Sequence, residues 1–230
     1  MTVKQQESGR AVILYDDALL DHAEPALFMP PVAAASTVGG RGSAWVLRRG
    51  GDEWVLRHYR RGGLPGRFIR DLYLWTGLEA TRAWREWRLL HSLYKEGLPV
   101  PQPVAAQVVR SGPSYRADLI TRRIPGASSV AERIAAGEES RIPWGEAGRT
   151  VRRFHDAGVY HADLNAHNLL LDGEARVYLI DFDRGARRGG GAWKAVNLAR
   201  LRRSLDKVAG SADVIAPAWA AFLDGYGGRG

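Results

Sequence analysis

Cysteine is absent from the 230 residues, which excludes a disulfide framework and cysteine-based metal sites and fits a reducing compartment. Long apolar runs are missing as well. The longest candidate, Ala26 to Val38, is too short to span a bilayer and contains Pro30 and Pro31. Met1 to Arg10 is polar and lacks the apolar core of a secretory signal. A soluble or peripheral cytoplasmic protein is therefore expected. Lysine is scarce: it occurs only at positions 4, 95, 194 and 207, so 29 of the 33 basic residues are arginine. No zinc-finger spacing or RNA-recognition signature accompanies the net charge of +8, and nucleic acid is not an expected partner.

What is present favours a folded chain with an anionic ligand. Hydrophobic residues make up 45% and eight are Trp, enough for a substantial core. The length suits one body or two small lobes around a cleft. Arginine grips phosphate or carboxylate with a planar fork, which suits an anionic substrate or membrane surface. Genomic base composition would produce the same bias.

The first half reads as strands. Ser43 to Leu47 and Glu53 to Tyr59 flank Gly50-Gly51-Asp52, a hairpin signal. A helix is predicted over Leu78 to Glu96, with Ala83, Trp87, Leu90 and Tyr94 at helical spacing and Gly97 and Pro99 as its stop. Val104 to Arg110 and Tyr115 to Thr121 form a second hairpin. Residues 122–126 make a hinge between a first lobe, 1–121, and a second, 127–230. The second half is mainly helical. Trp144, Ala147, Val151 and Phe154 share a stripe closed by Gly158, and strands at Leu169 to Leu171 and Val177 to Ile180 flank Asp172-Gly173. Helices are predicted over Ala195 to Val208 and Ala212 to Leu223, with fraying after Asp224. No internal repeat is present. The order is α+β: a protein-kinase-like bilobal fold with a strand-rich N-lobe and a reduced, mainly helical C-lobe.

The chemistry concentrates in His161-Ala162-Asp163-Leu164-Asn165-Ala166-His167-Asn168 and, on the following strand, Leu179-Ile180-Asp181-Phe182-Asp183. Asp163 and Asn168 stand five apart, and the hairpin returns Asp181 beside them. This is the order used for phosphoryl transfer from ATP. Asp163 is the candidate base for a substrate hydroxyl, and Asn168 and Asp181 are the candidate oxygen ligands for Mg2+. His161 is expected to brace the loop. His167 is either a base or metal ligand, or a loop residue bonded to backbone or facing substrate.

In the first lobe, Trp54-Val55-Leu56-Arg57 falls where kinases carry Val-Ala-Ile-Lys. Strand alternation sets Val55 and Arg57 on one face, with Val55 to cover the adenine and Arg57 to reach the phosphates. An ordinary exposed strand arginine is the competing reading. Glu86 pairs either with Arg57 or with Arg82, four residues before it, and Glu86 and Trp87 are not expected to face the same way. Gly40 and Gly42, within Gly39-Gly40-Arg41-Gly42, mark a phosphate-binding glycine loop or a plain turn. Asp183 stands in place of the Gly of Asp-Phe-Gly, either as an outer carboxylate or turned toward Arg184. No Ala-Pro-Glu element follows, which argues against a regulated protein kinase.

Together these residues resemble the Kdo kinases, which phosphorylate 3-deoxy-D-manno-octulosonic acid (Kdo) in lipopolysaccharide. The resemblance covers roughly residues 40–205. It rests on Leu56-Arg57-His58-Tyr59-Arg60-Arg61-Gly62-Gly63-Leu64, Gly97-Leu98-Pro99-Val100-Pro101, the 161–168 loop, and Leu179-Ile180-Asp181-Phe182-Asp183-Arg184-Gly185. It implies transfer of the ATP γ-phosphate to the 4-hydroxyl of Kdo on a Kdo-lipid A precursor. It also implies a peripheral location on the anionic cytoplasmic face of the inner membrane. No obligate protein partner is expected. Arg60, Arg61, Arg67 and Arg70 are then candidate acceptor or membrane contacts, and Leu64, Phe68, Leu72 and Trp75 either dip into the interface or pack the lobe. The kinase core is shared with lipopolysaccharide heptose kinases. A heptose kinase, another small-molecule kinase and a pseudokinase binding module are the alternatives.

Overall fold

Alternating apolar and polar residues build the first unit around an antiparallel sheet. The computed structural model describes residues 2–30, 44–59 and 72–228. They fall into two units, Met1–Ser92 with Gln102–Arg123 and Leu93–Pro101 with Ile124–Gly230. In the first, β1 (Val3–Ser8), β2 (Ala11–Asp16), β3 (Ala44–Arg49), β4 (Asp52–His58), β5 (Tyr73–Leu74), β6 (Pro103–Ser111) and β7 (Ser114–Arg122) form a 7-stranded sheet in the order β1-β2-β6-β7-β4-β3, with β5 on β7. The hairpins predicted around Gly50 and Gly112 are both present. The sequence reading has no strand before Ser43. The structure adds the β1–β2 hairpin, turned at Gly9 with φ 60°, a conformation that suits glycine. Its strand β2 sends Ile13 and Tyr15 into a core shared with Phe28, Trp54, Leu56 and Ile120.

Helix α1 (Arg82–Lys95) keeps Ala83, Trp87 and Leu90 buried as its spacing predicts, but Tyr94 is 38% exposed. Leu93, three residues beyond Leu90, continues the buried stripe instead. Gly97 (φ 72°) ends the helix, and Leu98 N–H donates to Leu93 O at 3.0 Å, the left-handed stop expected of a helix-terminal glycine. Pro99 O then accepts Leu179 N–H at 3.0 Å, so Leu93–Pro101 groups with the second unit.

In that unit β8 (Ser128–Ser129) leads into α2 (Val130–Ala135), started by a reciprocal cap between Ser129 and Glu132. Next come α3 (Trp144–Asp156), β9 (Val159–Tyr160), β10 (Leu169–Leu171), β11 (Val177–Leu179), β12 (Ala186–Arg187), α4 (Ala192–Ala209) and α5 (Ala212–Gly227). The sheet order is β11-β10-β8, and β12 pairs with β9. Trp144, Ala147, Val151 and Phe154 are buried. Their helix meets α5 at glycines: a Cβ on Gly148 would lie 2.0 Å from Phe222 O, and one on Gly225 2.0 Å from Gly145 O. This backbone contact corrects the predicted fraying, because α5 continues through Gly227 and buries Gly225. Beside it, His155 Nδ1 meets Tyr226 Oη at 2.8 Å. No described helix is long and apolar enough to cross a membrane.

Candidate active site

The second unit gathers the loop residues by short, local bonds. His161 is buried. Its Nε2 lies 2.9 Å from Ile180 O, and its Nδ1 accepts Asp163 N–H at 3.2 Å. A neutral ring with hydrogen on Nε2 satisfies both contacts, and burial holds the His161 pKa below its ordinary value. The ring rests on Phe182 at 4.8 Å. Asn197 of α4 donates to His161 O at 2.9 Å and accepts from its N–H at 3.3 Å. His161 therefore braces the loop.

Asp163 is exposed at the loop's surface. Asn165 turns the chain beside it: Nδ2 donates to Asp163 Oδ2 at 3.0 Å, while Oδ1 accepts His167 N–H at 2.8 Å and Asn168 N–H at 3.2 Å. This is the use of a short amide side chain to shape a turn. The His167 side chain is exposed. Asn168 is buried, and its Nδ2 donates to Asp163 O at 2.9 Å. Its amide oxygen is thus the group left for a cation.

Asp181 reaches the loop through the hairpin. Ile180 N–H donates to Asn168 O at 3.1 Å. Asp172 fixes the turn, accepting Glu174 N–H at 2.9 Å, Arg176 N–H at 3.0 Å and Arg176 Nε at 2.9 Å. Burial acts to raise the Asp172 pKa, but these donors and Tyr178 more than offset it and hold the group below the usual range. Asp181 itself has φ 63°, and its Oδ1 accepts Asp183 N–H at 3.4 Å. One amide oxygen and one carboxylate suit Mg2+, which takes few protein oxygens and completes its shell with phosphates and water.

The first unit holds a second cluster. On β4, Trp54 and Leu56 are buried, while Val55 and Arg57 share the other face and are half-buried. Arg57 Nη2 bonds Glu86 Oε2, as does the Tyr59 hydroxyl. The Arg57 guanidinium also donates to Tyr59 Oη at 3.1 Å. Glu86 and Trp87 are both buried, 2% and 0% exposed. Adjacent helical residues differ by about 100°, which a broad buried face accommodates. Burial pushes the Tyr59 pKa well up, and the Glu86 charge adds to the effect. Tyr59 thus stays a hydrogen donor.

Gly40, Gly42, Arg60, Arg61, Arg67, Arg70, Leu64 and Phe68 lie outside the described residues. Leu72 and Trp75 are half-buried. The sequence reading missed four participants: Asn165, Tyr59, Asn197 and Arg200. Arg200 of α4 places Nη1 3.2 Å from Asp163 Oδ1. The Asn-rich loop itself signals Asn165, whereas Asn197 and Arg200 come from a helix more than thirty residues on.

The arrangement has known relatives. The chain is 46% identical over 220 residues to a 3-deoxy-D-manno-octulosonic acid kinase of Stenotrophomonas maltophilia (strain K279a), covering 93% of this chain and 88% of the relative. A kinase of the same name from Xanthomonas campestris pv. campestris (strain B100) is 43% identical over 216 residues, 92% and 86% of the two chains. One from Xylella fastidiosa (strain 9a5c) is 46% identical over 207 residues, 88% and 83%. Among solved structures, a glucosamine kinase (crystal form B) aligns with TM-score 0.45 and 15% identity over 93% of this chain and 87% of its own. The model for the "Lipopolysaccharide kinase (Kdo/WaaP) family" matches residues 33–226. With so much of its length matched, and the loop from His161 to Asp183 inside the match, this chain belongs to the lipopolysaccharide kinase (Kdo/WaaP) family.

Proposed function

We propose that the protein transfers the γ-phosphate of ATP to the 4-hydroxyl of Kdo on a Kdo-lipid A precursor. The observation that carries this reading is the 43% to 46% identity, over nearly the whole chain, to relatives named for that acid. The loop supports it chemically. Asp163 takes the proton of the acceptor hydroxyl as its oxygen attacks the γ-phosphorus, and the bond to the departing ADP oxygen breaks in line. The carboxylate is exposed to receive an acceptor, and its backbone is fixed by His161, Asn165 and Asn168. Asn168 and Asp181 are assigned Mg2+, which when bound offsets charge on the phosphates. Arg57, held by Glu86 and Tyr59, is assigned a phosphate of ATP, and Val55 the adenine. Gly40 and Gly42 are assigned the phosphates, and Arg60, Arg61 and His167 the acceptor.

A lipid-borne acceptor and a net charge of +8 favour peripheral attachment to the anionic cytoplasmic face of the inner membrane. The test is transfer of labelled phosphate from Mg-ATP to purified Kdo-bearing lipid A precursor, beside a heptose-bearing acceptor, with Asp163→Asn as the blank. Label on the Kdo acceptor alone supports the reading. Label on the heptose acceptor alone reassigns the sugar, and label on neither, with ATP still bound, removes the proposal.

A further inference from the structure

Helix α4 touches the loop at three points on one face. Asn197 holds both backbone groups of His161, and Ser204 Oγ accepts Ala166 N–H at 3.1 Å. Between them, three residues after Asn197 and four before Ser204, Arg200 meets the Asp163 carboxylate at 3.2 Å. Positions i, i+3 and i+7 form one helical stripe. An isolated surface pair places its side chains loosely and contributes little. Here the helix is pinned to the loop on either side of Arg200, so the guanidinium is brought to the carboxylate by the fold.

The pair divides the work of its two members. Asn165 Nδ2 occupies one oxygen of Asp163 and Arg200 Nη1 the other. Each oxygen keeps a second lone pair on which an acceptor hydroxyl can be received. The Arg200 side chain is 44% exposed, and a guanidinium has five donors in a planar fork. It can turn from Asp163 to an incoming anion while remaining beside the base. An acceptor that presents a hydroxyl to Asp163 and a carboxylate a few ångströms away satisfies both partners.

We propose that Arg200 is the acceptor-specificity residue, reading the carboxylate of an acidic sugar while Asp163 takes its hydroxyl. This deepens the proposed function and rests on it. It also separates an acidic acceptor from a neutral heptose, which offers the fork no partner.

The test compares wild type, Arg200→Gln and Arg200→Lys on the Kdo-bearing lipid A precursor and on the same acceptor with its carboxylate converted to the methyl ester. Loss of a charge-assisted fork predicts an acceptor KM raised about tenfold to a hundredfold in Arg200→Gln. The KM for ATP should be unchanged, and Arg200→Lys should fall between. Wild type should prefer acid to ester, and Arg200→Gln should lose that preference. Unchanged melting temperatures exclude misfolding. An acid-to-ester ratio that persists in Arg200→Gln, or a loss confined to kcat at saturating acceptor, overturns the assignment. Wild type that labels neither acceptor overturns the functional reading itself, a different result from either of these.

Discussion

At the scale of single residues, the first unit's cluster depends on one hydroxyl. Tyr59 donates to the buried Glu86 carboxylate, which also receives Arg57. Removing the hydroxyl leaves Glu86 buried with one donor fewer and loosens Arg57. Tyr59→Phe should therefore lower kcat/KM for ATP by about tenfold, with the acceptor KM unchanged. Steady-state kinetics varying each substrate in turn would check this, and a selective rise in acceptor KM would sink it. Arg57 and Glu86 were readable from the sequence because strand alternation and helical spacing are local rules. Tyr59 read only as a strand end, since the Val-Ala-Ile-Lys pattern that singled out Arg57 assigns no role to a hydroxyl two residues on. Asp163, Asn168 and Asp181 were legible for the same local reason, their spacing being fixed by one loop and one hairpin. Arg200 was not, because its contact exists only once α4 docks.

Among the elements, α3 and α5 meet backbone to backbone at glycine. Gly148→Ala would drive a methyl group into the Phe222 carbonyl, 2.0 Å from the new Cβ, and fixed backbone has little room to yield. Overpacking of this kind costs about 1–3 kcal/mol. Gly173 is the internal control, with nothing within 4 Å of a Cβ and no left-handed backbone. Urea unfolding should show a clear loss of stability in Gly148→Ala and almost none in Gly173→Ala. Equal midpoints would refute the glycine seam. Periodicity announced α3 through Trp144, Val151 and Phe154, but glycine carries no hydropathy signal. The seam, and with it the last turn of α5, was hidden. The β1–β2 hairpin was hidden differently: its outer strand is polar after Val3, so no apolar alternation marks it as a strand.

For the molecule as a whole, the buried histidines set a pH dependence. Burial lowers the His155 pKa to about 4, and it lowers that of His161 as well. An unfolded chain takes up these protons near pH 6.5, where the folded protein does not. The stability from keeping His155 neutral is thus complete above about pH 6.5 and falls as pH drops toward 4. The paired carboxylates Glu53, Asp156 and Asp172 act lower, near and below their ordinary values. Urea midpoints should decline between pH 7 and 5, and the decline should be shallower in His155→Gln. A parallel slope in that variant would remove His155 as the cause. The β1–β2 hairpin also governs where the protein can be cut. The family match begins at residue 33, yet Ile13, Tyr15 and Phe28 belong to the first unit's core and β2 covers the edge of β6. A fragment beginning at 33 would bare the apolar edge of β6 to other chains and should collect in inclusion bodies. The family model's match marks the chemistry; the first unit's sheet begins some thirty residues earlier, at Val3.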